Sequence, residues 1–468
     1  MQNKKAYIWN FGGNMIPQAL FLVTNIVLAR FLTPADFGAV GVLSIFVSLA
    51  STLTDTGFSG SLVKEKDVTP IDFSTVFVFN LTISLSIYLL LYLLSDAIEK
   101  FFSYPDLRYV VRSLCLVFVI RAIGLVPRAL LIRNIRFDIQ AKISIFSVSI
   151  ACLVAIIGGI IGWKYYALVA YQLIYASLET SLLVIVTKYK FSFAFSKESF
   201  KRLFSFGFFT TICTTIDTIY ENIMATLFGR FLNMSAAGYL SQAQKLEVAS
   251  TNSLVRTLNS VSFPVLTRLR DNIDRFIKET NSIQETFISL IFPLLFAVVI
   301  YAKEIILLLY GEDWLQASIY LQLLIFVGIF YILECLDRNN IKSLGFVREL
   351  SRVTIQKRII GLIIIVLCLL ITPFAMLYGY ILSTFIGFLY NKHLYCKLLN
   401  LHFFHDLLRV LKLLILPMVF ALSVCLIRYL INNMVINIII SLILVIVYYF
   451  SIFRNKGILF NFNVKNNN

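Results

Sequence analysis

The hydrophobic positions of this 468-residue chain form long apolar stretches that are separated by short polar turns. A transmembrane helix needs about 20 consecutive, mainly apolar residues. The pattern predicts fourteen such spans, and we expect helices because a lone spanning segment must satisfy its own backbone hydrogen bonds. The predicted spans are 8–29, 37–60, 73–95, 109–131, 143–163, 165–187, 203–228, 236–260, 283–303, 315–336, 354–372, 375–396, 409–430 and 434–453. Because 354–396 is crowded, a total of twelve or thirteen spans is an alternative.

A sequence repeat relates the two halves of the chain. Arg30, Phe31, Leu32 and Gly38 recur as Arg230, Phe231, Leu232 and Gly238, at a constant offset of 200 residues. Each copy lies between two apolar spans, so each predicts the same helix–turn–helix. Internal repeats of this length in an apolar chain are typical of transporters with two bundles around a shared cavity.

The repeat predicts an all-α polytopic membrane protein with two pseudo-symmetric six-helix lobes, followed by two extra C-terminal helices. The expected segments are an N-terminal lobe at 1–190, a cytoplasmic linker at 191–202, a C-terminal lobe at 203–400, two additional transmembrane helices at 401–456 and a cytoplasmic tail at 457–468.

Composition and charge support a membrane protein and indicate its orientation. The chain is 59% hydrophobic and 14% charged, whereas soluble proteins are about 25% charged. A net charge of +16 could suggest a nucleic-acid partner, but Lys and Arg retained on the cytoplasmic side of a membrane explain it better. With both termini in the cytoplasm, inner loops hold about 30 basic residues and outer loops about seven. This asymmetry predicts cytoplasmic N- and C-termini and no nucleic-acid binding.

Polar residues follow one face of each of four predicted helices, the two pairs that the repeat relates. Steps of three, four and seven residues keep each set on one face. The sets are Asn10, Asn14, Gln18 and Asn25; Ser44, Ser48, Ser51 and Asp55; Thr210, Thr214, Asp217 and Glu221; and Gln242, Lys245, Asn252, Arg256 and Asn259. A polar face in hydrocarbon must face a bundle interior or a water-filled cavity.

These polar faces have two interpretations. In the first, the neutral side chains make interhelical contacts of about 0.6 kcal/mol each, and the acidic and basic ones pair with one another. In the second, cations line a cavity for an anionic substrate and amides bind its hydroxyl-rich groups. The candidate substrate-binding residues are Arg256, Lys245, Arg112, Arg121, Asn14, Gln18, Asn252 and Asn259, and the candidates for binding a coupling cation are Asp217, Glu221 and Asp55.

Other candidate chemistry is weak. Arg112 and Arg121 lie nine residues apart, so at most one is expected to face a shared cavity. His402 and His405 form an HxxH pattern that is better explained as a solvated loop than as a metal site. The sequence has no Gly-rich phosphate loop followed by Lys-Ser/Thr and no apparent catalytic set. We therefore predict no enzymatic activity, no cofactor and no metal.

Several stretches resemble the Wzx-type polysaccharide transporters, and specifically the subgroup named for colanic-acid and teichuronic-acid exporters. The matching stretches run in order through about the first 320 residues. They are ARFLTPADFGAVGV, DTGFSGSLVKEKD, STVFVFNL, VPRALLIRNIRF, LFSFGFF, GRFLNMSAAGYLSQAQKL, FPVLTRLRDN and LLYGEDWLQAS. These transporters belong to the multidrug/oligosaccharidyl-lipid/polysaccharide exporter superfamily.

The resemblance implies a V-shaped central cavity lined by the first, second, seventh and eighth spans. It implies a flippase that moves undecaprenyl-diphosphate-linked repeat units of O-antigen, capsule or exopolysaccharide across the bacterial cytoplasmic membrane by alternating access. Its partners would be this substrate, membrane lipids, and the polymerase and chain-length proteins of the pathway. Arg128, Arg133 and Arg268 match family positions in cytoplasmic loops, which suggests topology and gating roles.

Two alternative functions remain. One is a cation-coupled multidrug exporter of the same superfamily, whose cavity would more often be acidic. The other is a membrane glycan polymerase or ligase, which would need large outer loops with catalytic residues. The outer loops predicted here are short, the longest lying near 96–108.

Overall fold

The computed structural model of the protein describes residues 2–55, 61–62, 65, 67–431 and 434–456. In these ranges the regular structure is helical. The α-helices are α1 (Gln2–Leu28), α2 (Pro34–Gly41), α3 (Ser44–Asp55), α4 (Pro70–Phe102), α5 (Leu107–Arg133), α6 (Phe137–Ile161), α7 (Tyr165–Thr187), α8 (Lys197–Phe231), α9 (Met234–Leu269), α10 (Ile273–Ile300), α11 (Ala302–Leu309), α12 (Ala317–Ser343), α13 (Val347–Leu369), α14 (Ala375–Leu398), α15 (Phe403–Leu430) and α16 (Met434–Lys456). Each predicted span overlaps a long helix, or the pair α2 and α3, which confirms the all-α fold. The predicted tail, 457–468, lies outside the described residues.

The helices make this a multi-pass membrane protein. By length and composition, eight helical segments in the described ranges are apolar enough to cross a membrane. Helices α8 and α9, which carry the charged polar faces, are not among the eight. Their charged side chains lower the mean hydropathy on which such a selection depends.

Several helices extend beyond the apolar stretches that predicted them. Helix α8 begins at Lys197, and α13 begins at Val347, several residues before the predicted spans at 203 and 354. The basic residues between Arg338 and Arg358 therefore lie mostly in helices. A helix can continue past the hydrocarbon because its backbone hydrogen bonds stay satisfied there as well.

The chain forms two compact units. Unit 1 comprises Met1–Gln242 and Leu307–Leu315, and unit 2 comprises Ala243–Ile306 and Gln316–Asn468. Unit 1 contains both copies of the repeat turn. The lobe boundaries that the repeat suggested lie elsewhere along the chain and stay a prediction.

The two copies of the repeat turn start their helices in the same way. Thr33 caps α2: its Oγ1 accepts a hydrogen bond from the backbone N–H of Asp36, whose carboxylate accepts one from the Thr33 N–H. Two hundred residues later, the Oδ1 of Asn233 accepts a hydrogen bond of 2.7 Å from the N–H of Ala236. Both side chains satisfy a backbone donor that the first helical turn leaves unpaired.

The same two turns pack against each other in unit 1 through their glycines. A Cβ atom added to Gly38 would lie 1.9 Å from the carbonyl oxygen of Met234. A Cβ atom added to Gly238 would lie 1.8 Å from the carbonyl oxygen of Pro34. Only glycine therefore permits this approach of backbone to backbone, which explains why the residue recurs at both positions.

The segment after α11 covers the first of these turns. The indole of Trp314 is buried, and its Nε1 donates a hydrogen bond of 2.9 Å to the carbonyl oxygen of Ala29. Its ring meets Phe37 edge-on with the centroids 5.3 Å apart. The guanidinium of Arg30 donates to the carbonyl oxygen of Leu308 at 2.6 Å. This stretch is thus packed into unit 1.

The predicted second span is broken rather than continuous. Helix α2 ends at Gly41 and α3 begins at Ser44. The Oγ1 of Thr226 on α8 donates a hydrogen bond of 3.1 Å to the carbonyl oxygen of Val42 at the break. A tertiary contact therefore satisfies a carbonyl group at the break.

Candidate functional site

The polar face of α1 is only partly described. Gln18 is half-buried, and Asn25 is buried with its Nδ2 donating to the carbonyl oxygen of Phe21 at 2.7 Å. The side chains of three predicted site residues, Asn14, Asp55 and Asn252, lie outside the described part of the chain. Their roles stay predictions.

Helix α9 carries four of the predicted substrate-binding residues, and the side chains of three of them are described. Lys245 and Asn259 are half-buried, and Arg256 is exposed. Lys245 and Arg256 lie eleven residues apart, which is about 16 Å along the helix and places them on nearly the same face. The exposed guanidinium of Arg256 stays hydrated and is accessible for binding an anion.

Two of the three acidic candidates lie on α8, which packs against α3 through polar side chains. Asp217 is half-buried and Glu221 is exposed. The hydroxyl of Ser48 donates to Oδ1 of Asn222 at 3.3 Å, and the hydroxyls of Thr52 and Thr218 lie 3.0 Å apart. The interhelical interpretation of the polar faces therefore applies to this part of the second span.

Arg112 and Arg121 face different neighbours, as their spacing predicted. The Nε of Arg112 donates to the hydroxyl of Ser95 at 2.8 Å, and its Nη2 lies 3.4 Å from a carboxylate oxygen of Asp96 on α4. Arg121 instead lies beside α7, in the electrostatic range of Glu179. The structure does not bring the two arginines to one site.

A charged seam between α5 and α7 was missed by the sequence reasoning. The Nη2 of Arg128 lies 2.7 Å from Oε2 of Glu179, which is buried. The two helices come close at Gly124, where an added Cβ atom would lie 2.9 Å from the hydroxyl oxygen of Thr180. An acidic residue inside an apolar span was the available signal for this seam.

Unit 2 contains a buried ionic network that the sequence reasoning also missed. The Nζ of Lys392 is fully buried and lies 2.9 Å from oxygens of both Asp337 and Asp406. Asp406 also pairs with Arg409, and Arg409 donates to the amide oxygen of Gln284 at 2.6 Å. The network joins α10, α12, α14 and α15. It therefore connects α15, the first of the two additional C-terminal helices, to three other helices of unit 2.

A second ion pair lies one turn along α12. Lys357 of α13 pairs with Glu334, and both side chains are 1% exposed. Arg338 lies 4.0 Å from the same carboxylate. Lys357 is thus a buried residue of α13. A lysine near the end of an apolar span usually indicates the cytoplasmic side of the membrane. Here Lys357 instead neutralises the carboxylate of Glu334.

Within the described residues, no three His, Cys, Asp or Glu side chains converge to hold a metal ion.

The many spanning helices and the duplicated turn define a helical multi-pass transporter. A duplicated arrangement of this kind is the usual construction of secondary transporters. Residues 27–319 match the family described as polysaccharide biosynthesis protein, and the chain belongs to this family. The matched residues include both copies of the repeat turn and the Trp314 segment.

Curated relatives agree with this family. The chain is 24% identical over 388 residues to an uncharacterised membrane protein in the cps region of Klebsiella pneumoniae, covering 82% of this chain and 79% of the relative. It is 25% identical over 327 residues to the lipopolysaccharide biosynthesis protein WzxC of Escherichia coli K12, covering 69% and 66%.

Solved structures share the fold. The lipid II flippase MurJ, in an inward closed conformation, superposes with a TM-score of 0.76 and 15% identity, covering 96% of this chain and 99% of that chain. A multidrug resistance transporter of the MATE family and MOP superfamily, in an inward-facing conformation, gives a TM-score of 0.62 and 14% identity, covering 83% and 98%. The all-α fold is thus shared with both of these transporters.

Proposed function

We propose that this chain is a flippase that moves undecaprenyl-diphosphate-linked oligosaccharide repeat units across the bacterial cytoplasmic membrane. The observation that carries the proposal is the family match over residues 27–319. Relatives named for lipopolysaccharide, succinoglycan and teichuronic acid biosynthesis support a glycan substrate. The fold shared with a lipid II flippase supports transport of a lipid-linked head group.

The physical problem fits this fold. A diphosphate with its sugars cannot enter hydrocarbon without a large desolvation cost, while the polyprenyl tail can stay in lipid. A cation-lined cavity would bind the head group as the lobes, at 1–190 and 203–400, rock between inward- and outward-open states. The charge on this chain suits an anionic substrate, because the candidate cavity residues include more cations than carboxylates.

The proposed substrate site consists of the predicted residues. The candidates are Arg256, Lys245, Asn14, Gln18, Asn252, Asn259 and at most one of Arg112 and Arg121, with Asp217, Glu221 and Asp55 as candidates for a coupling cation. Arginine suits phosphate because its planar fork can donate two parallel hydrogen bonds. The exposed guanidinium of Arg256 is the strongest of these candidates.

We also infer the orientation and partners. Both termini would lie in the cytoplasm, because this assignment keeps most basic residues inside. The flipped repeat unit would pass to the polymerase and chain-length proteins of the same pathway on the outer side. A flippase needs no catalytic site, so we propose that the chain has no enzymatic activity.

Complementation tests the function. The chain is expressed in strains that lack their own flippase, each making one known glycan, and surface glycan and accumulated lipid-linked intermediate are measured. Restored surface glycan with loss of the intermediate is expected in at least one strain. Resistance to cationic drugs without restored glycan in any strain would instead favour the multidrug exporter.

A further inference from the structure

The seam between α5 and α7 in unit 1 carries more positive than negative charge. Arg121, Gly124 and Arg128 follow one another at steps of three and four residues, so they lie on one face of α5. On α7, Tyr175 and Glu179 are one turn apart and face them. Where the helices approach at Gly124, the guanidinium groups of Arg121 and Arg128 share one carboxylate, that of Glu179.

The two arginines are unequally satisfied. Arg128 forms an ion pair with Glu179 at 2.7 Å, and its side chain is 43% exposed. Arg121 is half-buried beside the same carboxylate. A guanidinium carries five N–H donors and a carboxylate has about four acceptor sites, so one carboxylate cannot satisfy two guanidinium groups. The seam therefore has donor capacity for an additional anion.

Apart from its ion pair with Arg128, the contacts of Glu179 are long, with the hydroxyl of Tyr175 at 3.3 Å and that of Ser144 at 3.5 Å. The two hydroxyls lie 3.0 Å from each other and so can satisfy one another when the carboxylate moves away. Both can also donate to a bound oxyanion.

We propose that Arg121 and Arg128 form a phosphate-binding site within unit 1, in which a phosphate group displaces Glu179 from Arg128. Guanidinium groups pair with phosphate oxygens through two parallel hydrogen bonds. The site deepens the proposed function if its ligand is the diphosphate of the lipid-linked substrate, and to that extent it rests on that function. Anionic phospholipid offers the same phosphate chemistry.

Binding measurements on the purified full chain test the site. The first probe is radiolabelled undecaprenyl diphosphate, added to protein in nanodiscs of phosphatidylcholine. The variants are Arg121→Gln, Arg128→Gln and Glu179→Gln. The matched control is Arg108→Gln, because Arg108 lies on the same helix, is 40% exposed and faces the carboxylate of Asp96 at 3.6 Å. Thermal unfolding of each variant is recorded in parallel.

The site predicts opposite effects for the two charge signs. Each arginine variant should weaken probe binding at least tenfold, since it removes charge-assisted hydrogen bonds. Glu179→Gln should strengthen binding several-fold, because the competing carboxylate is gone. Arg108→Gln should bind like the wild type. If the ion pair only holds α5 against α7, Glu179→Gln would lower the unfolding temperature and leave affinity unchanged, which would overturn the site. Arg121→Lys is a second variant that keeps charge, and it should retain part of the affinity.

A second arm distinguishes the sources of the phosphate. The same variants are placed in nanodiscs that contain phosphatidylglycerol, without undecaprenyl diphosphate. The enrichment of phosphatidylglycerol around the protein is then measured. Enrichment that depends on Arg121, without binding of undecaprenyl diphosphate, supports the site with a phospholipid ligand. Equal binding of both probes by wild type and by all variants overturns the site. Complementation by the wild-type chain is scored separately. If it restores surface glycan while Arg121→Gln binds both probes like the wild type, the site is refuted and the proposed function is retained.

Discussion

Trp314 and Ala29 are joined by a hydrogen bond of 2.9 Å between the indole Nε1 and the backbone carbonyl oxygen. The bond connects residues separated by 285 positions in the chain. The same indole lies edge-on to Tyr239, with the ring centroids 5.9 Å apart, and the hydroxyl of Tyr239 donates to the carbonyl oxygen of Asp313 at 3.2 Å. One tryptophan thus contacts both helices that follow the repeat turns.

Replacing this tryptophan tests its contribution. Trp314→Phe keeps an aromatic ring but leaves the buried carbonyl of Ala29 without the indole donor, which should cost about 1–3 kcal/mol. We expect a lower unfolding temperature in a detergent thermal-stability assay. Trp163→Phe is the control, because Trp163 is 44% exposed. An unchanged unfolding temperature for Trp314→Phe would show that the hydrogen bond is dispensable.

The paired glycines should not tolerate a methyl group. Gly38→Ala and Gly238→Ala would each force a Cβ atom within 2 Å of a backbone oxygen, so each should cost about 3 kcal/mol or more, at the upper end of overpacking penalties. Protein abundance and surface glycan should both fall. Gly12→Ala is the control, since its Cβ atom would meet only the end of Ile16 at 4.0 Å. Normal export by Gly38→Ala would contradict the close packing.

Lys392, one of the buried lysines of unit 2, should be essential for folding. Lys392→Met leaves the carboxylates of Asp337 and Asp406 without their shared cation, which should cost about 3–5 kcal/mol. The protein should disappear from membranes or unfold at a clearly lower temperature. Combining Lys392→Met with Asp337→Asn and Asp406→Asn should recover part of the loss. The exposed Lys397→Met is the control, and equal stability of the two single variants would refute the prediction.

Charge at position 256 should matter more than size. Arg256→Lys keeps a cation and should retain partial export, whereas Arg256→Gln should lose nearly all of it. Because Arg256 is exposed, neither change should lower protein abundance. Surface glycan and lipid-linked intermediate in whole cells give the result. If Gln supports export as well as Lys does, the charge is not used on the substrate.

The orientation can be checked with single cysteines in a Cys-less background. Exposed positions Asp313 and Asn134 are replaced by Cys. A membrane-impermeant maleimide should label position 313 in intact cells and position 134 only after the membrane is opened, because most basic residues then lie inside. The reverse pattern would invert the topology. Position 400, an exposed residue predicted to be cytoplasmic, serves as the second inner site.

The spans could be predicted because each is a local property of about 20 residues. The predicted span at 165–187 coincides with α7, Tyr165–Thr187. The break between α2 and α3 was not predictable in this way, since its carbonyl partner, Thr226, lies 184 residues away. Recurring glycines indicated a repeat, but their contact with each other depends on tertiary packing.

The ionic networks were missed for a related reason. When hydropathy is averaged over a span, a single charged residue such as Glu334 has little effect on the mean. Lys392 lies near the end of a predicted span, where a lysine usually indicates the cytoplasmic side. The partners Lys392 and Asp337 are 55 residues apart, and nothing local indicates their pairing. The functional residues proposed from the polar faces await the experiments above, because their side chains were chosen from pattern and charge alone.

The contact between the repeat turns has the geometry of a symmetric homodimer interface. Gly38 lies against the carbonyl of Met234, and Gly238 lies against the carbonyl of Pro34, so the same two positions meet in both directions. Such isologous contacts are the rule when two identical chains associate about a two-fold axis.

Fusion of the halves removes a constraint that such a dimer would have. In a homodimer every substitution changes both sides of the contact, whereas in this chain each copy can change alone. The helix caps differ between the copies, Thr33 in one and Asn233 in the other, because any side chain with a suitable acceptor oxygen can cap a helix. Gly38 and Gly238 are the same residue because backbone contact leaves no alternative. Each copy of the turn can therefore change alone everywhere except at this contact.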